Sequence, residues 1–390
     1  MQPVIRRRVF WKRFALTVGS FLLLAAAVVT YVVVTEWTFI QRLRHFPKHP
    51  TADVDWYQPK ESVPGAPRGD LPEAPTNGSD VSAEALASAW SYAKTKNSLA
   101  LLVVHRDRLA AEFYAPGHSR ESWTESASMA KTITALLVGI ALDERKIASI
   151  DEPAANYLPE WKRDGRNKIT LHHLLAMHSG LRPMGAYDDP FSDACYLTLG
   201  TDARYVVANI PLVSEPGRHF DYNNVNFQAL GFVIEKATGR RYAEYLSEKL
   251  WKPLGNRDAA LWLDRKGGSV RTAGHLYATA QDWARVGLML LHDGKYDGRQ
   301  VVSPGWLRQM LASSPTEPDY GLGIWLGREG GRSPDRDQPF LAKDMFYLDG
   351  RGKQRVYIVP SRQLVIVRVG EQARGWDEAF LPNTILRGLQ

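Results

Sequence analysis

The sequence predicts an α+β fold: an antiparallel-rich sheet flanked by helices, with an all-helical subdomain inserted between its strands. Three observations predict it. Apolar runs of strand character lie near residue 100, in "LALLVVHRD" and "RLAAEFYA", and return after residue 340 in "MFYLD", "QRVYIVP" and "QLVIVRVG". Between Ser128 and about Arg271 the apolar spacing is mainly helical. One core then requires a single sheet assembled from both ends of the domain, and 390 residues suffice for one large or two intimate domains.

The chain opens with a basic tail, 1–13. Arg6, Arg7, Arg8, Lys12 and Arg13 supply five of the seven net positive charges, leaving +2 for everything after them. No basic footprint remains on the folded part, so no nucleic-acid partner is expected. Residues 14–35, "FALTVGSFLLLAAAVVTYVVVT", form a 22-residue stretch without a charge. As a helix it would extend about 33 Å, enough to cross a bilayer core. Trp11 and Trp37 flank it as interfacial anchors would. The preceding cations place the N-terminus in the cytoplasm and the remainder in the periplasm or cell exterior, as a single-pass protein of the cytoplasmic membrane. A cleaved signal peptide is the competing reading, but Ala25 to Ala27 lie inside the apolar run rather than after it. Residues 36–80, with seven prolines from Pro47 to Pro75, read as an extended spacer, and the folded domain is expected over 81–390.

Within the domain, Ser82 is a plausible N-cap for "AEALASAWSYAKT", and Asp107 marks a tight turn between the first two strands. "HRD" at His105–Asp107 lacks the asparagine of a kinase catalytic loop, because Glu112 stands there. Thr170 caps "LHHLLAMHSGL" and Gly180 stops it; Gly239, Pro253 and Gly294 end later helices. Turns are expected at Gly350–Gly352 and Ser361–Gln363, and "GWDEAFLPNTILRGL" closes the chain as a helix. The single cysteine, Cys195, has no intrachain partner and reads as a small buried hydrophobe.

Two serine–x–x–lysine pairs compete for chemistry. A lysine one helical turn after a serine shares its face, and acts as a base only if desolvation makes it neutral. Ser91 and Lys94 are followed at once by Lys96 and Asn97 on a water-facing helix. Ser128 and Lys131 stand instead at the mouth of a helix whose next eleven residues carry no charge, so this pair is the candidate nucleophile and base. Of sixteen tyrosines only Tyr222 is followed by asparagine two positions on, in the polar loop "FDYNNVNFQALG" before a helix that Asn223 or Asn224 would cap. His172, His173 and His178 lack an H-E-x-x-H pattern and read as packing or surface histidines. There is no G-x-S-x-G elbow.

These segments together resemble the serine β-lactamase and penicillin-binding-protein superfamily, specifically its class C-like hydrolases. The similarity runs from about Ser82 to the C-terminus and rests on "SASMAKTITALLVGIALDERKIASIDEPAANYLPEW", "ITLHHLLAMHSGL", "FDYNNVNFQALGFVIEKATG", "HLYATAQDWARVGLMLLHDG" and "YIVPSRQLVIVRVG". The resemblance implies the β-lactamase/transpeptidase α/β sandwich, with Ser128 as nucleophile and Lys131 and Tyr222 as general base and acid. Asn224 would bind substrate or Lys131, and no cofactor or metal is implied. The family's lysine–threonine–glycine strand motif is absent; "HSG" at His178–Gly180 mimics it but ends a helix. The matching stretch, "YLDGRGKQRVYIVP", more nearly resembles 6-aminohexanoate-dimer hydrolases and related esterases. There the glycine-rich turn, here Arg351 and Gly352, would give the second oxyanion amide. Arg351 or Lys353 would meet a substrate carboxylate or else stand as a solvated turn residue. The expectation is a membrane-anchored serine hydrolase acting on a small ester or linear amide. A penicillin-recognising cell-wall peptidase or β-lactamase is the first alternative, and a non-catalytic binding protein the second.

Overall fold

Strand period places alternate residues on opposite faces of a sheet, and the central sheet of the computed structural model follows it. The structure describes residues 2–75, 80–327 and 337–390; side chains at 2–10, 12, 28, 29 and 31–33 fall outside the description. The sheet has six antiparallel strands: β2 (Ser98–His105), β3 (Arg108–Tyr114), β9 (Trp325–Leu326), β10 (Phe346–Gly350), β11 (Gln354–Val359) and β12 (Leu364–Gly370). Their order is β3-β2-β12-β11-β10-β9, so strands from both ends of the domain meet at the β2–β12 pair, Leu364 opposite His105. Leu101, Val103, Leu364 and Ile366 point to one face, where α3 (Ala83–Thr95) and α12 (Phe380–Arg387) cover them. Leu102, Val104, Val365 and Val367 point to the other, into the larger core under α10 (Ala280–Leu291). That helix lies close on the sheet because it presents Gly287: a Cβ there would come within 2.6 Å of Val365.

The helices between the strands form the second layer. α4 (Ala130–Asp143), buried from Ala130 to Ala141, packs on α8 (Asn224–Thr238). Around them stand α5 (Leu171–Leu175), α6 (Asp193–Leu199), α7 (Ala203–Asn209) and α9 (Tyr242–Leu246). α11 (Pro304–Met310) and the hairpin β7 (Lys295–Tyr296) with β8 (Arg299–Gln300) complete the fold. The expected caps are present: Ser82 accepts from the Ala85 amide, Thr170 from His173, and Asn223, rather than Asn224, from Val225. Arg106 and Asp107 both take positive φ in the tight β2–β3 turn. Cys195 is buried, as expected of a small hydrophobe.

The N-terminal part departs from expectation. α1 (Gln2–Thr35) contains the 14–35 stretch, part of which falls outside the described side chains. Among the described residues no helix is long and apolar enough to cross a membrane. Over the described residues 36–75 the segment is not an extended spacer, because it is tied to the domain by hydrogen bonds and strand pairing, while 76–79 lie outside the described residues. In α2 (Trp37–Arg44), buried Arg42 donates to the carbonyls of Leu199, Gly200, Asp264 and Gln58 and lies 4.8 Å over the Trp262 ring. β1 (Lys60–Val63) pairs antiparallel with β5 (Ala259–Trp262). With β6 (Leu276–Ala278) and β4 (Thr124–Glu125) they make a second sheet in the order β1-β5-β6-β4. The folded unit therefore begins near Trp37 rather than Val81, which itself bridges to Leu389.

Candidate active site

A turn of 3-10 helix, Ala127–Met129, presents Ser128 immediately before α4, with Lys131 one turn further on. Ala127 has φ +46°, a left-handed conformation that costs a non-glycine residue energy and that surrounding bonds must hold. Glu125 holds it: its Oε1 accepts from the Ala127 amide at 2.7 Å and from the His275 amide at 2.9 Å. The Glu125 carbonyl accepts from Gln354 Nε2 at 2.6 Å. Burial opposes charge on this carboxylate, but His275 at 3.2 Å, then Arg351 and the Ala127 amide, keep it below the usual carboxylate range.

Lys131 is 2 % exposed. Its Nζ donates to Ser128 Oγ at 2.7 Å and to the Ala273 carbonyl at 2.8 Å, and lies 4.9 Å over the Tyr222 ring. Burial lowers its ammonium to about 7, against the opposing pull of Asp349 and Glu125. A lysine that shares its proton this readily is a competent base at neutral pH. Ala273 is placed through α8, where Gln228 donates to the Val270 carbonyl and accepts from the Thr272 amide.

Tyr222 reaches the same spot from the loop before α8, stacked on Trp325 at 5.9 Å and edge-on to Tyr320 at 6.1 Å. Burial, then Asp349, push its phenol well above the ordinary value, while a hydrogen bond with Ser128 opposes them. The phenol is therefore a proton donor at neutral pH.

Facing Ser128 is the end of β10. Gly350 packs so tightly on the Ser128 turn that a Cβ would sit 2.6 Å from the Ser126 carbonyl. Gly352 has φ +84°, and a Cβ there would meet the Gly370 carbonyl at 2.8 Å. Arg351 lies between these two glycines in the turn across the cleft from Ser128. Asp349 is ion-paired with Arg355, whose Nε and Nη2 grip the buried Glu378 at 2.5 and 2.6 Å. Burial raises the Asp349 carboxyl and Arg355 opposes it.

A cavity of about 360 Å³ joins these groups. Ser128, Tyr222, Asn224, Arg351 and Gly352 line it, and Lys131 lies beneath Ser128. All six residues singled out in the sequence thus converge. Of the two roles expected for Asn224, the bond to Lys131 is not made: Lys131 bonds Ser128 and Ala273, and Asn224 Nδ2 donates to Tyr187 at 2.8 Å. Sequence reasoning missed Glu125, His275, Asp349 and Tyr187, which also line the cavity. Glu125, three residues before Ser128, was the one within reach; the others are brought in by tertiary contacts. Ser91 and Lys94 are both exposed on α3 and form no part of this cavity's lining. His172, His173 and His178 form a mutual cluster with ring separations of 5.2–6.4 Å. Among the described residues no histidine, cysteine and carboxylate group is arranged to hold a metal.

The chain is similar in sequence and fold to known proteins. The 6-aminohexanoate-dimer hydrolase of Paenarthrobacter ureafaciens is 31% identical over 229 residues, 56% of this chain and 58% of that hydrolase's length. A Bacillus anthracis structure named for the same hydrolase superposes with a TM-score of 0.71 at 24% identity, covering 86% of this chain and 92% of the other. A penicillin-binding-protein homologue from Pyrococcus abyssi shares the fold at a TM-score of 0.60 and 19% identity, covering 77% and 75%. Residues 88–386 match the Beta-lactamase family model, and the chain belongs to that family.

Proposed function

We propose that the protein is a serine hydrolase that cleaves a small ester or a linear amide through an acyl-enzyme on Ser128. The observation that carries the reading is the 2.7 Å contact between Ser128 Oγ and a buried Lys131 whose pKa falls to about 7. Neutral Lys131 takes the Ser128 proton as Oγ attacks the substrate carbonyl carbon. The amides of Ser128 and Arg351 receive the developing oxyanion. Tyr222 protonates the departing alcohol or amine, and Lys131 returns its proton to Tyr222. Water then attacks the acyl carbon, giving its proton to the Tyr222 oxygen as the phenol passes its own to neutral Lys131, and Lys131 returns that proton to Ser128 Oγ as the acid departs. Leu348, Asp349 and Gly350 occupy the strand end facing Ser128 without the family's lysine–threonine–glycine, which favours esters and linear amides over β-lactams or cell-wall peptides.

The reading includes an N-terminal membrane anchor with the catalytic domain in the periplasm or cell exterior. The uncharged 14–35 stretch supports it, as do the solvent-exposed side chains of Phe14, Leu16, Phe21 and Leu22–Leu24.

A panel of phenyl esters, aminohexanoate oligomers and a fluorescent penicillin, run on the full chain and on Ser128→Ala, tests the activity. Ester or oligomer turnover that vanishes in Ser128→Ala is the expected result. Covalent penicillin labelling without ester turnover would favour the cell-wall enzyme, and inertness to every substrate would favour a binding protein.

A further inference from the structure

We infer that residues 46–57, outside the part of the chain that matches the family model, form a strap that positions the two halves of the catalytic cleft. The inference rests on the Ser128 reading and adds to it a set of positioning residues. Thr51 is the central link. Its carbonyl accepts from the Glu125 amide at 3.0 Å, on the nucleophile side. Its amide and that of Ala52 both donate to Glu371 Oε1 at 3.0 Å, and its hydroxyl donates to the Gly370 carbonyl at 3.2 Å, on the opposite side.

Each end of that link leads through neighbouring contacts toward a reacting group. Glu125 pins the left-handed Ala127 and so aims Ser128. Gly370 lies against Gly352, and Arg368 joins the Gly352 and Glu371 carbonyls, so this corner fixes the Arg351 turn. Two aromatic contacts strengthen the bridge. The Arg351 guanidinium lies 5.7 Å over Phe46, which packs edge-on to Trp56 at 5.5 Å. Tyr57, fully buried, packs 5.7 Å from His275 and donates to the Pro50 carbonyl at 2.8 Å. The strap therefore touches Glu125, His275 and Arg351, all of which line the cavity, while lining none of it itself.

The consequence is geometric. Oxyanion stabilisation needs the Ser128 and Arg351 amides at a fixed separation, and misplacement by about 1 Å costs on the order of a hundredfold in rate. Because Thr51 bonds both sides, loosening it lets that separation vary without removing any group that touches substrate.

The test compares Phe46→Ala and Glu371→Ala with Phe46→Tyr and Glu371→Gln in the full chain. Thr51→Val serves as a milder probe that removes only the hydroxyl donor. Three readouts are taken: the rate of Ser128 phosphonylation by a fluorophosphonate, kcat and KM for a phenyl ester, and Tm. The alanine variants are expected to lose about tenfold in both phosphonylation rate and kcat with KM changed less than twofold. The conservative variants should recover to within twofold, and Thr51→Val should fall between. Wild-type rates in the folded alanine variants or in Thr51→Val, with Ser128 still labelled, would overturn the strap and leave the serine mechanism standing. Failure of the wild type itself to be labelled would overturn the serine mechanism and the strap together.

Discussion

Ser91–Lys94 and Ser128–Lys131 have the same spacing on helices of similar length, and the molecule sets them in opposite surroundings. On α3 the lysine is exposed, 6.0 Å over Trp90, and its helix shows one face to water. On α4 the lysine is sealed under Tyr222, with its Nζ bonded to one hydroxyl and one carbonyl. Spacing brings an amine to a serine; only burial makes that amine a base. The contrast also shows why such a site needs a large domain, since α4 must be covered on all sides while its first turn opens on a cavity.

The comparison breaks most sharply at the serines. Ser128→Ala should lower kcat/KM for the best ester by at least about 10⁴-fold, whereas Ser91→Ala should leave it within twofold. The lysines come next. Lys131→Arg keeps the charge but cannot release a proton near neutrality, so kcat should drop about 10³-fold, and Lys94→Arg should change nothing measurable. Steady-state kinetics with a phenyl ester checks all four.

Stability gives a third contrast. Lys131 has a folded pKa of about 7 against 10.5 in the free side chain. Between those values the unfolded chain binds more protons than the folded one, so unfolding free energy rises with pH across that window, by up to about 1.4 kcal/mol per unit. Urea titrations at pH 7, 8, 9 and 10 should show this slope in the wild type and its loss in Lys131→Met. Lys94→Met should keep the wild-type slope. A smaller effect is expected at Asp349, whose carboxylate pulls the Lys131 pKa upward. In Asp349→Asn that pull is gone, so the acidic limb of the kcat/KM profile should move to lower pH.

Much of the fold was legible because its signals are local. Period-2 runs gave the strands, caps at Ser82 and Thr170 gave helix starts, and the charge-free run after Lys131 marked the buried helix. Ser128, Lys131 and Tyr222 were legible for the same reason, each sitting in a short patterned stretch. The N-terminal region was misread because its order comes from distant carbonyls. Arg42 and Thr51 look like solvent-facing residues in a proline-rich segment until residues 199–200, 264 and 370–371 accept their hydrogen bonds. The Asp349–Arg355–Glu378 series was hidden likewise, because Glu378 lies 23 positions from Arg355 and no periodicity links them.

If burial turns Lys131 into the base for Ser128, the pH dependence of Ser128 phosphonylation must report the lysine's lowered pKa. Between pH 5 and 10 the rate should climb to a plateau with an apparent pKa near 7, and peptide mapping should place the adduct on Ser128. An adduct on another residue, or a rate still climbing past pH 9 as an ordinary solvated lysine would give, would contradict it.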